Sequence, residues 1–354
     1  MKNFLNKYKP NRKELLIGSG IALALILLVF LLHNIFIKNK SSEPVPEVQA
    51  VETIERGPEF INAALLGYGG AGHDGGYLSD TIWVARINTT KKSANFVSVP
   101  RDLWVEINTD SGKVATKINA AFLEDRDNKS AATTKKILEA VTAMPVDYFV
   151  AVDFNQFQKI IDELGGVTVN VPVAFDDYYY PVRGLELETC GMTPEKVHQL
   201  SNSLSGFELE KQFECRYEHL HFDEGPMKMR GEDALKFVRS RHGTHGGDFA
   251  RSERQFAVFA GLKDRLISMD AVKNAREIYD LIDHMFMTDI DVDTAVKLAG
   301  FVANPEEYEL NKINLTDENV LTNSRSSAGA FILIPKAGNN NFTEVQKYIE
   351  ENLR

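Results

Sequence analysis

Residues 61–87 read INAALLGYGGAGHDGGYLSDTIWVARI, and this stretch decides the fold class. Ile61 to Leu66 is a short apolar run of the kind that forms a strand buried on both faces. Gly67 to Gly76 is a glycine-rich loop, and Thr81 to Ile87 is a second strand. A dinucleotide fingerprint needs strand, loop and then helix; here a strand follows the loop, so that reading is excluded. Working outward, Ala94 to Val99 gives a third strand, with Asn88 to Lys92 as turn material. Helical spacing runs from Thr133 to Met144 and stops at Pro145; Asp147 to Val152 is a strand. Asp153, with Gln156 three residues on, caps a helix carrying Phe154, Phe157, Ile160, Ile161 and Leu164, which Gly165-Gly166 ends. Val167 to Val171 is a strand. Residues 175–228, dense in aromatic and charged side chains, read as an irregular surface insertion. Glu232–Val238 and about 248–269 are helical, as are about 271–286 and 291–302. Tyr308–Leu315 and Ala330–Ile334 are candidates to pair as strands, and Thr343–Leu353 is a closing helix. Strands alternating with helices imply an α/β, or layered α+β, domain: a central mixed β-sheet flanked by helices.

Leu15 to Ile37 carries no charged residue. As a helix this run would be roughly 34 Å long, enough to cross a ~30 Å hydrocarbon core with some tilt. A cleaved signal peptide has a shorter apolar region with a small-residue site close behind it, and the nearest such site, Val48-Gln49-Ala50, lies well downstream. Lys2, Lys7, Lys9, Arg12 and Lys13 precede the run, and only Lys38 and Lys40 follow it closely. The positive-inside bias therefore predicts a cytoplasmic tail (1–14), one transmembrane helix (15–37), an extracytoplasmic linker (38–58), a main domain (59–268) and C-terminal helices with a strand pair packed on that core (269–354). That compartment permits disulfides, and the two cysteines, Cys190 and Cys215, are expected to bridge; two free thiols are the alternative. A formal net charge of −10 leaves no basic surplus for a nucleic-acid binder, though a local basic pocket remains compatible with it.

Chemistry concentrates at three groups of arginines. Val99-Pro100-Arg101-Asp102 ends a strand, Arg239-Ser240-Arg241 ends a helix, and Arg251, Arg254 and Gln255 share a face near the start of the long helix. Guanidinium forks and a helix N-terminus suit a pyrophosphate. The same residues equally suit a solvated basic surface paired with acids. Asp80, where the glycine loop enters its strand, is placed to hold Mg²⁺ against phosphate oxygens, or else to cap a turn. His219 and His221, together with His242 and His245, evoke zinc but bring no thiolate, since both cysteines are expected to bridge. Tyr178-Tyr179-Tyr180 suits sugar stacking or plain packing, and Asp176-Asp177 reads as a solvated acidic pair.

Taken together, residues from about 60 to 268 resemble the LytR–CpsA–Psr family of membrane-anchored phosphotransferases. The resemblance is carried by Leu65-Leu66-Gly67, Ser79-Asp80-Thr81, Ser98-Val99-Pro100-Arg101-Asp102, Lys117-Ile118-Asn119-Ala120, Val146-Asp147-Tyr148, Leu164-Gly165-Gly166-Val167, Gly231-Glu232-Asp233-Ala234-Leu235, Arg239-Ser240-Arg241 and Asp248…Arg251…Arg254-Gln255. It implies a transferase that moves a phosphate-linked glycan from a polyprenyl-pyrophosphate carrier to peptidoglycan or another envelope polymer. Arg101, Arg239, Arg241 and Arg251 would clamp the pyrophosphate, with Arg254, Gln255, Lys117 and Asn119 at the substrate. Asp102 would orient Arg101 or act as a base, and Asp80 would ligate Mg²⁺. Two departures bear on the metal: Gly69 stands near the family's usual second acid, and Leu78 replaces its usual arginine. His73 or Asp74 in the same loop would have to substitute. A non-catalytic wall-binding or regulatory protein and a lipid-diphosphate pyrophosphatase are the other readings of the same residues.

Overall fold

A run of apolar side chains from Phe60 to Tyr68 forms the central strand of the sheet, and it is buried on both faces. The computed structural model describes residues 58–71, 75–109, 112–125, 130–240, 247–268, 285–291, 294, 298, 301 and 307–354. The expected tail, transmembrane helix and nearly all of the linker lie outside these residues, as do most of the helices expected at 271–286 and 291–302. Among the described residues no helix is long and apolar enough to cross a membrane.

In chain order the elements are β1 (Phe60–Tyr68), β2 (Ser79–Asn88), β3 (Ser93–Ser98), β4 (Trp104–Thr109), β5 (Gly112–Lys117), α1 (Ala132–Thr142), β6 (Tyr148–Asp153), α2 (Phe154–Glu163), β7 (Val167–Val171), β8 (Phe175–Pro181), α3 (Pro194–Ser203), β9 (Tyr217–Phe222), β10 (Gly225–Met229), α4 (Gly231–Arg239), α5 (Gly247–Ser268), β11 (Met287–Thr288), β12 (Glu309–Asn314), β13 (Leu321–Arg325), β14 (Phe331–Pro335) and α6 (Thr343–Asn352). The central sheet is mixed, in the order β11-β6-β1-β2-β3-β12. β1 runs parallel to β6 and antiparallel to β2; β3 runs antiparallel to β2 and parallel to β12. Hence β1, β3, β6 and β12 all point the same way, and their carboxyl ends share one edge with the start of β2.

Side chains alternate across the pleat. Ala64, Leu66, Ile82, Val84 and Val97 pack on one face against Leu138 and Val141 of α1 and Val345 and Ile349 of α6. Ile61, Leu65, Trp83 and Phe96 pack on the other against Phe259 of α5, where Trp83, Phe96 and Phe259 meet edge to face. A third core joins α2, α4 and α5 to the strands β7 to β10.

Two expectations are corrected. The segment 175–228 is not irregular: β8 and β9 form an antiparallel pair and β10 pairs with β7. Phe175, Tyr180, Leu220 and Phe222 are buried, a strand alternation hidden by the intervening charges. Cys190 and Cys215 form a disulfide across the excursion between β8 and β9. Tyr308–Leu315 and Ala330–Ile334 do not pair with one another. β12 joins the central sheet beside β3, and β14 pairs with β13. The reason is burial. Leu310 and Ile313 of β12 face opposite cores, as an edge strand of a sheet covered on both faces requires, whereas Leu-Thr-Asn-Ser-Arg of β13 carries a single apolar residue and gives no strand signal.

One close approach fixes α5 on the smaller sheet. A Cβ added to Gly261 would lie 2.4 Å from the carbonyl oxygen of Thr168 in β7. Gly261→Ala is expected to destabilise by about 1–3 kcal/mol through overpacking against backbone, read as a lower midpoint in urea unfolding.

Candidate active site

The shared carboxyl edge of β1, β3, β6 and β12 is where an open α/β sheet presents loops to a ligand. Asp80 sits there because of a break in pairing: Thr81 pairs with Gly67 and Ser79 with Tyr68, so Asp80 is the extra residue of a bulge. A bulge re-aims its side chain, and the Asp80 carboxylate meets Arg101, with Oδ1 2.5 Å from Nη1. Arg101 stands in the turn that follows β3, where Leu103 N–H donates to the Pro100 carbonyl. Asp102 lies between two cations: its Oδ2 is 3.6 Å from Arg101 Nε and its Oδ1 2.5 Å from Lys117 Nζ. Buried Asn119 closes the turn, its N–H donating to the Arg101 carbonyl. Asp80, Arg101, Asp102 and Lys117 thus form one chain of alternating charge.

The second turn of α5 reaches the same edge: Ser252 Oγ lies 3.3 Å from Ser98 Oγ at the end of β3. Arg251, the residue before it, is buried. Arg254, one turn on, is still more buried and ties the arch together. Its Nε donates to the Phe237 carbonyl at 2.9 Å, its Nη2 donates to the Ser240 carbonyl, and its guanidinium stacks 4.8 Å from the Phe175 ring centre. Burial pulls its pKa down to about 10; Asp177 opposes this shift and the like charge of Arg251 adds to it. Arg254 therefore serves as a positioning residue for the end of α4. Gln255 is half-buried on the same helix.

Arg239, the last residue of α4, is exposed, and its guanidinium lies 4.7 Å over the ring of Phe154. Phe154 opens α2 directly after β6, so Arg239 stands at the same edge. Arg241, His242, His245, Asp74 and His73 lie outside the described residues. Asp177 corrects an expectation: it is fully buried, not solvated, and accepts hydrogen bonds from Ser240 Oγ at 2.6 Å and from Tyr179 N–H. The acidic run hid it; that Asp177 shares a strand face with Phe175 was the available signal. Asp153 is a further carboxylate at the edge. It caps α2 through the Gln156 N–H and presses on Gly70, whose φ is +82° and where an added Cβ would lie 2.9 Å from Asp153 Cβ. Buried Tyr68 beside it has its phenol pushed up to about 12, first by burial and then by Asp153 and Tyr77.

For a divalent metal, the donor set is spare. No group of three His, Cys, Asp or Glu able to hold an ion occurs among the described residues. Asp80 offers one part-exposed carboxylate, an oxygen of which already meets Arg101. That suits Mg²⁺ completed by ligand phosphates and water better than an all-protein cage. His219 and His221 both meet Asp176 and form no zinc cluster; Tyr178 is exposed and stacks flat on His219, 4.1 Å between ring centres.

The LytR_cpsA_psr family model matches residues 32–345. Polyisoprenyl-teichoic acid–peptidoglycan teichoic acid transferase TagV of Bacillus subtilis is 24% identical over 275 residues, which is 78% of this chain and 60% of that protein. The corresponding transferase TagU of Oceanobacillus iheyensis is 26% identical over 302 residues, 81% of this chain and 80% of that protein. The crystal structure of B. subtilis TagV superposes with a TM-score of 0.57 at 22% identity, covering 83% of this chain and 97% of that one, a likeness of fold.

Arg254→Ala should destabilise the protein by about 3–5 kcal/mol, because it strands a buried carboxylate and buried carbonyls. Arg239→Ala, which loses the contact over Phe154 and a hydrogen bond to Tyr180, should cost less, about 0.5–1.5 kcal/mol. Urea midpoints of the two variants check the contrast.

Proposed function

The chain belongs to the LytR–CpsA–Psr family, and from that premise we propose that it transfers a phosphate-linked glycan from a polyprenyl-pyrophosphate carrier to a cell-wall acceptor such as peptidoglycan. The observation that supports this reading is that three arginines from separate segments stand near one sheet edge: Arg101 in the turn after β3, Arg239 over Phe154 just after β6, and Arg251 next to Ser252, which touches Ser98 at the end of β3. Arg241 would join them as a fourth cation. Relatives named as teichoic acid transferases acting on peptidoglycan support the substrate class. The uncharged run Leu15–Ile37 supports a membrane anchor with the domain outside the cytoplasm, and the Cys190–Cys215 bridge agrees with an oxidising compartment.

In this reading the acceptor hydroxyl attacks the phosphorus that carries the glycan. A new phosphorus–oxygen bond forms, the bond to the bridging oxygen breaks, and polyprenyl phosphate leaves with that oxygen. The hydroxyl proton passes to a carboxylate at the edge. Positively charged forks neutralise the two non-bridging oxygens of that phosphorus and the leaving phosphate as charge redistributes, which is where such transfers gain most of their rate. Arg101, held by Asp80 and Asp102, meets the phosphates in a fixed orientation, so little side-chain entropy is lost on binding. Asn119 and Lys117 keep that turn in place, and Gln255 lies beside the arginines of α5. Mg²⁺, when bound, would be held by Asp80 with Asp74 and would add charge neutralisation at the phosphates.

The test is turnover of a polyprenyl-diphosphate-linked glycan by the full chain, following polyprenyl phosphate release and glycan fixed on insoluble peptidoglycan. Release should depend on the acceptor. Arg101→Ala and Arg251→Ala should each lower kcat/KM by about 10- to 150-fold, the loss of a charge-assisted hydrogen bond, and lysine should restore little. Release without acceptor would favour a pyrophosphatase, and binding without release a non-catalytic wall protein.

A further inference from the structure

The hairpin β4–β5 carries Asp102 and Lys117 at its root, and away from that root it forms one wall of an open groove of about 510 Å³. The opposite wall is the turn before α6 together with that helix's first residues, and the end of α1 forms the floor. Both walls start at the candidate active site. β4 continues directly from Asp102, and Leu333 of β14, which leads into the opposite wall, donates its N–H to the Asp102 carbonyl at 2.9 Å. Along an extended strand Glu106 lies roughly 13 Å from Asp102, so the groove opens within a short reach of the reacting edge.

Its lining is rich in side-chain amides: Asn108, Asn340, Asn341 and Gln346. Two of these are fixed by backbone through one atom. Asn340 Oδ1 accepts from the Glu106 N–H at 3.2 Å, and Gln346 Nε2 donates to the Ala140 carbonyl at 2.8 Å. Those backbone partners settle which amide atom is which, so Asn340 keeps an NH₂ and Gln346 a carbonyl oxygen with no intramolecular partner among the described residues. Asn340 is also held at φ 56°, a left-handed conformation that a short polar side chain tolerates and that recurs where a loop is shaped around a ligand. The charges cancel: Lys113 Nζ lies 3.9 Å from Glu106. A groove with paired charge and fixed amide donors and acceptors does not attract a polyanion. It matches a neutral polymer whose hydroxyl and acetamido groups both give and accept hydrogen bonds.

We propose that this groove binds a neutral stretch of the acceptor glycan and delivers its hydroxyl to the arginine-lined edge. The inference rests on the transferase reading for the acceptor's role; the groove's preference for neutral glycan stands on its lining.

Two variants test it. Ala140 is exposed at the end of α1, so Ala140→Trp fills the groove from a solvent-facing position; Asn108→Ala removes an exposed amide that makes no hydrogen bond within the described residues. Calorimetry of the full chain with a soluble neutral oligomer of N-acetylglucosamine, and separately with polyprenyl pyrophosphate, gives the readout. Ala140→Trp should abolish glycan binding and Asn108→Ala should weaken it about fivefold, the loss of one hydrogen bond, while polyprenyl-pyrophosphate affinity stays unchanged in both. Glycan affinity equal to wild type in both variants, or no glycan binding by the wild type, overturns the proposal. Acceptor-dependent turnover with an unchanged acceptor KM in both variants overturns the groove alone. Groove-dependent glycan binding without any turnover in the wild type overturns the transferase reading and leaves the groove standing.

Discussion

A buried guanidinium holds the site's scaffold together. Arg254 donates to two carbonyls at the end of α4, lies over Phe175 of β8 and faces Asp177. Three elements distant in sequence, α4, α5 and the β8–β9 hairpin, meet on one side chain. Removing that charge from water is costly and is offset only because its hydrogen bonds are well made. The arrangement also sets where α4 ends, and therefore where Arg239 stands. The placement of one exposed arginine thus depends on another that is itself turned inward.

The other half of the edge is built on a different device. The bulge at Asp80 turns a carboxylate out of the sheet toward Arg101, and Asp102 and Lys117 extend the pairing. An arginine between two carboxylates is oriented before any ligand arrives. Arg251 differs: it is buried near a second guanidinium, whose charge it opposes. An edge that carries oriented cations on one side and crowded cations on the other favours an anion that can reach both.

The sheet was legible because it is covered on both faces. β1, β2 and β3 are near-continuous apolar runs, and α2 carries its cap, Asp153, in plain view. The arginine groups were legible as residues, through their spacing and through a family resemblance. Their division of labour was not. Arg254 shares the helix face of Arg251, and only long-range packing shows that it turns to the carbonyls of α4. Asp177 looked solvated because local charge density outweighs a two-residue alternation when aromatics and acids are interleaved. Tyr308–Leu315 and Ala330–Ile334 are strands but not partners, because strand partners are chosen by burial across the whole sheet, and β13, which pairs with β14, has one apolar residue with which to announce itself.

The central claim is that arginines from separate segments converge on one diphosphate at the carboxyl edge of the sheet. A crystal structure of the protein soaked with a short-chain polyprenyl pyrophosphate tests this most directly. The account predicts both phosphates at that edge, within hydrogen-bonding distance, about 2.7–3.2 Å, of the Arg101 and Arg251 guanidiniums together. A diphosphate bound elsewhere, or one touching neither arginine, would contradict it.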